Sequence, residues 1–317
     1  MVRLALAAVF CLAAAAAQAQ YPSRPIRLLV PNPPGGATDT LARLVAPKLG
    51  EALGQPLVVD NRPGSNGNLA SELAAKAPPD GYTLYLAADA QIVIGPHLYA
   101  SMPVDPLKDL APVATLVSTQ MMLVMRPDLP ASNLQEFIAL AKKTSPPLPY
   151  ASIGNGSQHH LVMEMLKQRA GIDLLHVPFK GGGPAMTALL GGQVAAMFGG
   201  NSVSGQIRGG KVRALATAGK KRSSAFPDVP TLSETFPGLE VTPWLALFAP
   251  AGVPAAVLGK LRDETGRLLA NEEMRGRIRQ LGGLEPFVTT PEEFAALLHA
   301  EYARYGEIIK SVGAKVD

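Results

Sequence analysis

Residues 26–45 read IRLLVPNPPGGATDTLARLV. A short apolar run, 26–31, passes through a turn built on Gly35-Gly36. Beyond it, apolar side chains recur three and four residues apart. That order is strand, tight turn, amphipathic helix. The spacing predicts a helix over 38–53 with Leu41, Leu44, Val45, Leu49, Ala52 and Leu53 on one face. Thr38 or Asp39 is the expected cap. Pro47 is expected to kink the helix or end it early, because it has no backbone N–H to give.

The same unit recurs along the chain. Strands are predicted at 57–60, at 82–87 after the turn Pro79-Asp80-Gly81, at 122–125 and at 150–153. Ser132 with Gln135 reads as a capping box opening a helix that runs to about Lys143. A later helix points Leu161, Val162, Met165 and Leu166 inward and stops at Gly171. Further strands are predicted at 174–177, 194–198 and 213–217. A crossing segment at 241–249 carries Trp244, which with Phe248 reads as core rather than a ligand platform. Two helices, about 254–270 and 291–309, close the chain. The second opens on Thr290-Pro291-Glu292-Glu293: cap, N1 proline, N3 glutamate. Alternating strands and helices predict an α/β fold with mainly parallel sheets. The closing helices follow a segment that returns from the middle block. One lobe is therefore expected from 20–122 plus 243–317 and the other from 123–242, with a ligand cleft between them.

A chain of 317 residues with 47% hydrophobic and 17% charged residues is large and apolar enough for two cores. Its net charge of +4 is scattered, so no clustered basic face marks a nucleic-acid partner. At the N-terminus, Arg3 precedes an apolar run at 4–17, followed by Ala17-Gln18-Ala19. The run is ~14 residues, short of the roughly 20 a membrane span needs. Residues 1–19 are read as a signal peptide, with the exported chain starting at Gln20 in the periplasm. Cys11, the one cysteine, falls inside that segment. Residues 8–10 before it are a poor match to a lipoprotein signal. The exported chain would then hold no disulfide, thiol nucleophile or cysteine metal site.

Three Gly-rich loops stand where a strand hands over to a helix: 31–39, 61–68 and 154–160. Glycine lets a backbone approach a ligand, and the helix start offers unpaired N–H groups with partial positive charge. Such a loop suits an anion, carboxylates included. None matches a nucleotide motif. His159 and His160 are adjacent, so they point about 100° apart on a helix and do not share a metal readily. Ser157 follows Gly-x-Gly and not the elbow of a hydrolase; its helix-start position reads as a cap. A periplasmic hydrolase using Ser157 and His160 is the rival from another class. A sensor reporting ligand occupancy to a membrane signalling protein is a third reading.

The motifs 21–26 (YPSRPI), Gly35-Gly36-x-x-Asp39, 59–64 (VDNRPG), 79–84 (PDGYTL), Gly154-x-Gly156-Ser157-x-x-His160-Leu161, 176–181 (HVPFKG) and 227–231 (PDVPT) follow one another along the chain. In that order and spacing they resemble the solute receptors of the tripartite tricarboxylate transporters, the Bug family. The resemblance implies a periplasmic two-lobed flytrap fold (type II). It implies an organic acid as ligand, delivery to membrane transporter subunits, and no chemistry on the ligand. It implies that the ligand is held by Gly35, Gly36, Ala37, Thr38 and Asp39 on one lobe and Gly156, Ser157 and Gln158 on the other. Asn66 to Asn68, His160 and the region around Phe179 to Pro184 stand as further wall candidates. No cofactor, metal or catalytic residue is expected, and the chain is expected to be a monomer. Two departures from the family pattern stand out: Gly199-Gly200-Asn201 in place of an acidic residue after Phe198, and Phe179 in place of tyrosine. Both remove polar groups and point to an acid less polar than citrate.

Overall fold

The computed structural model describes residues 21–200, 203–281 and 283–315. The expected leader 1–19 with Cys11, the start at Gln20, and Asn201 lie outside the described residues.

Strand β1, Ile26–Val30, pairs in parallel with β2, Leu57–Asn61, and β3, Thr83–Ala88. Between β1 and β2 runs α1, Ala37–Leu53. Its Leu41, Val45, Leu49 and Leu53 share a core with Ile26, Leu28 and Val30, as the periodicity requires. Leu44 is half-buried and Ala52 exposed, so the stripe is narrower than expected. Two expectations need correction here. The helix runs unbroken through Pro47: the proline is exposed, as is Arg43, whose carbonyl it leaves without a helical donor. The N-cap is Gly36, extended at φ −75° with no side-chain bond, so Thr38 and Asp39 sit inside the first turn. Helix α2, Asn68–Ala75, leads into β3.

The ten-residue β4, Leu110–Thr119, has no counterpart in the sequence reading. It is followed by β5, Met122–Met125, and α3, Leu134–Lys143. The cap of α3 is Asn133, accepting from Glu136 N at 2.9 Å, one residue later than expected. Ser132 instead bonds the Glu136 carboxylate at 2.7 Å. Then come β6, Pro149–Ser152; α4, Gln158–Ala170; β7, Leu175–Pro178; α5, Gly182–Leu190; β8, Ala196–Gly199; and β9, Arg213–Thr217. Gly171 ends α4 in the left-handed region, as read from sequence. The chain closes with β10, Trp244–Pro250; α6, Ala255–Ala270; α7, Glu272–Gln280; β11, Leu284–Pro286; and α8, Pro291–Val312.

The strands form two sheets, one per lobe. The six-stranded sheet has order β11-β4-β10-β3-β1-β2, and the five-stranded sheet β7-β6-β8-β5-β9. They are mixed, not mainly parallel. β10 runs against β3 and β4, β11 against β4, and β5 against β8 and β9. β5 and β10 enter from the other lobe, not through a helical crossover, so nothing obliges them to run parallel. The two passages lie side by side. Thr119 N donates to Pro243 O at 2.8 Å, Ala218 N to Met121 O at 2.8 Å, and Val241 N to Ala218 O at 2.7 Å.

Helix α8 opens with the capping box read from sequence, Thr290 with Glu293. Its Phe294, Leu298 and Tyr305 join one core with Leu29 and Tyr85 of the first sheet and Leu123 and Phe198 of the second. Gln168 donates to Ser311 Oγ at 2.8 Å, and Arg304 to Glu240 O at 2.7 Å. Trp244 is buried in this core, edge-on to Phe294 at 5.7 Å, its Nε1 donating to Glu301 at 2.7 Å.

Candidate functional site

The cleft of ≈ 850 Å³ between the lobes is walled by segments of both sheets. The first loop contributes Pro31, Asn32 and Pro33; the second Pro63, Gly64 and Asn66 to Asn68; the third Ile153 to Gln158. The stretch after β3 adds Ala90, Gln91, Ile94, Gly95, Leu98 and Tyr99. Phe179, Lys180 and Lys315 complete the described lining. The charged side chains among these are Lys180 and Lys315, both cations; most of the other polar ones are amides.

The first and third loops are built alike. In each, the third residue of the helix reaches back to the backbone N–H just before the cap. Asp39 Oδ2 accepts from Gly35 N at 2.8 Å. His160 Nδ1 accepts from Gly156 N at 3.1 Å. Both side chains are buried. Asp39 also takes Arg43 Nε at 2.9 Å and Asn61 Nδ2 at 2.9 Å. Bonding to Arg43, above all, holds its carboxyl at about 2. His160 stacks on His176 with ring centres 4.0 Å apart. Burial lowers the pKa of His160, so the ring that seats Gly156 stays neutral. Burial first, and His160 second, bring His176 down to about 4. His176 Nε2 in turn lies 2.6 Å from Ser152 Oγ, beneath the third loop.

The caps differ. Ser157 Oγ accepts from His160 N at 3.3 Å and donates to Gly154 O at 2.7 Å. Its hydroxyl is thus occupied by the loop's own backbone. His160 Nδ1 accepts from Gly156 N, and the Ser157 hydroxyl makes no hydrogen bond to the imidazole. Among the described residues no group of three or more His, Cys, Asp or Glu is placed to hold a metal ion.

In the second loop Asn66 adopts φ +54° and donates Nδ2 to Tyr99 OH at 2.5 Å. Gln91 Nε2 donates to the Asn66 carbonyl at 3.0 Å, tying that loop to the turn after β3.

The family model described as "Tripartite tricarboxylate transporter family receptor" matches residues 41–314. The chain belongs to this family. Its members are periplasmic solute receptors. BugT of Bordetella pertussis is 36% identical over 299 residues, covering 93% of this chain and 91% of BugT. The solved structure of Rpa4515 from R. palustris with adipate superposes with a TM-score of 0.78 at 31% identity, covering 93% of this chain and 99% of that one. MatC of Rhodopseudomonas palustris with bound malate gives 0.73 at 33% identity, covering 91% and 100%. No helix among the described residues is long and apolar enough to cross a membrane.

Of the residues the family resemblance implied, Asn66, Gly156, Ser157, Gln158 and Phe179 line the cleft. Of the first loop, Pro31 to Pro33 are in the described lining and Gly35, Gly36, Thr38 and Asp39 are not, and His160 bonds the third loop at Gly156. Pro184 is exposed in the first turn of α5 and is not in the described lining. The sequence reading missed Gln91, Tyr99 and Lys315. Lys180 falls inside the stretch 179–184 read as wall; Lys315 carried no signal, because its place depends on where a 22-residue helix ends.

Proposed function

We propose that the cleft captures a small organic acid by its carboxylate and delivers it to membrane subunits of a tripartite tricarboxylate-type transporter. One observation carries the reading. Glycine-loop helix starts from opposite sheets flank a single cleft whose charged lining groups are cations. The N–H groups of Thr38 and Asp39 on α1, and of Gln158 and His159 on α4, have no intramolecular acceptor among the described residues. These ends suit an anion. The adipate and malate complexes of the similar proteins agree in ligand chemistry, and Lys180 with Lys315 suits a second carboxylate. We assign ligand contact to the first and third loops, Asn66 and Phe179, with Asp39 and His160 as supports. An acid less polar than citrate fits the Phe179 wall.

The lobes in this reading are 20–122 with 243–317, and 123–242, hinged at the paired passages near 121–125 and 241–246 and closing on ligand. The chain is exported, loses residues 1–19, acts as a monomer and leaves its ligand unchanged.

A thermal-shift screen against mono-, di- and tricarboxylates tests this. A ligand at about 100 times its Kd stabilises the folded state by roughly 2.7 kcal/mol. A midpoint raised only by cationic or uncharged compounds would overturn the reading, as would turnover of a carboxylate that disappears in Ser157→Ala.

A further inference from the structure

Asp89 stands at the end of β3 and is 1% exposed. Its Oδ1 accepts from Ala90 N at 2.9 Å. Its Oδ2 meets Nε2 of Gln158, the first residue of α4, which lines the cleft from the other lobe. A carboxyl of the first lobe thus grips a cleft-lining amide of the second. We propose that Asp89 is a positioning residue that sets which end of the Gln158 amide faces the cleft, and that capture of an anionic ligand is thereby linked to uptake of a proton at Asp89.

An amide has a donor end and an acceptor end, and an ionised carboxylate can only accept. With Asp89 charged, Gln158 must turn its NH2 toward it, and the carbonyl oxygen is the end left for the ligand. That oxygen repels a carboxylate. With Asp89 protonated, its O–H can donate to the Gln158 carbonyl, and the NH2 turns to the cleft as a donor for the ligand. An anion in the cleft therefore favours the protonated state twice, through the amide and through direct repulsion of the Asp89 charge.

The surroundings make that proton available. The charged groups bearing on Asp89 are Glu301 and Arg304, both on α8, beside the buried Tyr305 hydroxyl. From α4 comes the Gln158 amide. Arg304 is shared: it reaches Glu301 at 3.4 Å and the Glu240 carbonyl at 2.7 Å. Two carboxyls thus divide one guanidinium. Burial, then Glu301, push the Asp89 carboxyl well above the usual carboxylate range.

The inference rests on the reading of Gln158 as a ligand contact, and two measurements separate them. In the free protein, the side-chain NH2 resonances of Gln158 are followed by NMR from about pH 5 to about pH 8. A titration step in the native chain that vanishes in Asp89→Asn is expected. Calorimetry with adipate and malate, in buffers of different ionisation heat, then reads proton uptake on binding. Above the Asp89 midpoint, affinity should fall up to ~10-fold per pH unit in the native chain and stay flat in Asp89→Asn. The native-chain measurements stand even if that variant does not fold. Gln158 resonances that ignore pH, binding without proton uptake, or an unchanged pH profile in Asp89→Asn would each overturn the inference while leaving the receptor reading intact. Titration of Gln158 without binding of either acid supports the positioning role and counts against the carboxylate reading.

Discussion

The loops at 31–39 and 154–160 are tethered alike, one by a charged side chain and one by a neutral side chain. In the proposed function each holds a helix start open to an anion, and each uses the third helical residue to tether the N–H ahead of the cap. In the first loop that residue is Asp39, a carboxylate kept ionised and offset by Arg43. In the third it is His160, kept neutral by burial and packed on the His176 ring. A fixed negative charge beside an anion seat costs affinity unless a cation offsets it, whereas a neutral imidazole needs no such partner. The caps follow suit: glycine alone in the first loop, a serine hydroxyl in the third. The first loop is thus stiffened by charge and the third by packing.

The largest test of that contrast is backbone substitution. Gly156 sits at φ +71°, and a Cβ there would meet Leu98 of the other lobe at 2.6 Å. Gly156→Val should weaken binding on the order of 100-fold, equivalent to about 2.8 kcal/mol, in calorimetry with a ligand from the thermal screen. Retained affinity would mean the third loop does not seat the ligand.

Asp39→Asn comes next. It keeps one acceptor but removes the charge that Arg43 answers. Loss of about 1–3 kcal/mol of stability is expected by denaturant unfolding, the scale of a buried charge-assisted bond. A change near zero would say the first loop is held by its prolines and not by its charge.

Acid should separate the two loops. His176 titrates near 4 in the folded chain against 6.5 when unfolded. A depressed folded value means its contribution is present above 6.5 and is lost as pH falls toward 4. Asp39 titrates near 2 against 3.8, so its contribution is present above 3.8 and fades toward pH 2. Hydrogen exchange followed by mass spectrometry should therefore show peptides spanning 154–160 opening before those spanning 31–39. Simultaneous opening would break the comparison.

Smallest are the cap changes. Ser157→Ala should cost about 1 kcal/mol of stability, an ordinary cap loss. Gly36→Ala should change binding less than about twofold, because Gly36 is at φ −75° and the nearest atom to an added Cβ is 3.7 Å away. The positive-φ residue of that loop is Gly35, at +88°.

Local chemistry was legible where the deciding atoms are close in sequence. The Thr290–Glu293 box, the Gly171 stop and the strand Arg213–Thr217 stand where their residues predicted. Where two candidates competed over one residue, as with Ser132 against Asn133 or Asp39 against Gly36, the reading slipped, because backbone geometry chooses between them. In the cleft, Gly156, Ser157, Gln158 and Phe179 were named from motif resemblance. Asp89, Gln91 and Tyr99 were not, since each matters through partners far along the chain.

By itself the sequence determined the strand–loop–helix units, the glycine loops at their joints and the family. Periodicity, capping and turn preferences act within a few residues, so they are written into short stretches of chain. Tertiary structure alone decided that β5 and β10 run against their neighbours, that α8 joins both lobes in one core, and that Lys315 reaches the cleft. It also decided the charge states at the site. Arg43 keeps Asp39 ionised, burial keeps His160 neutral, and Glu301 presses on Asp89 from a helix more than 200 residues away in the chain. Desolvation and Coulomb forces depend on distance in space, and no local pattern encodes that distance.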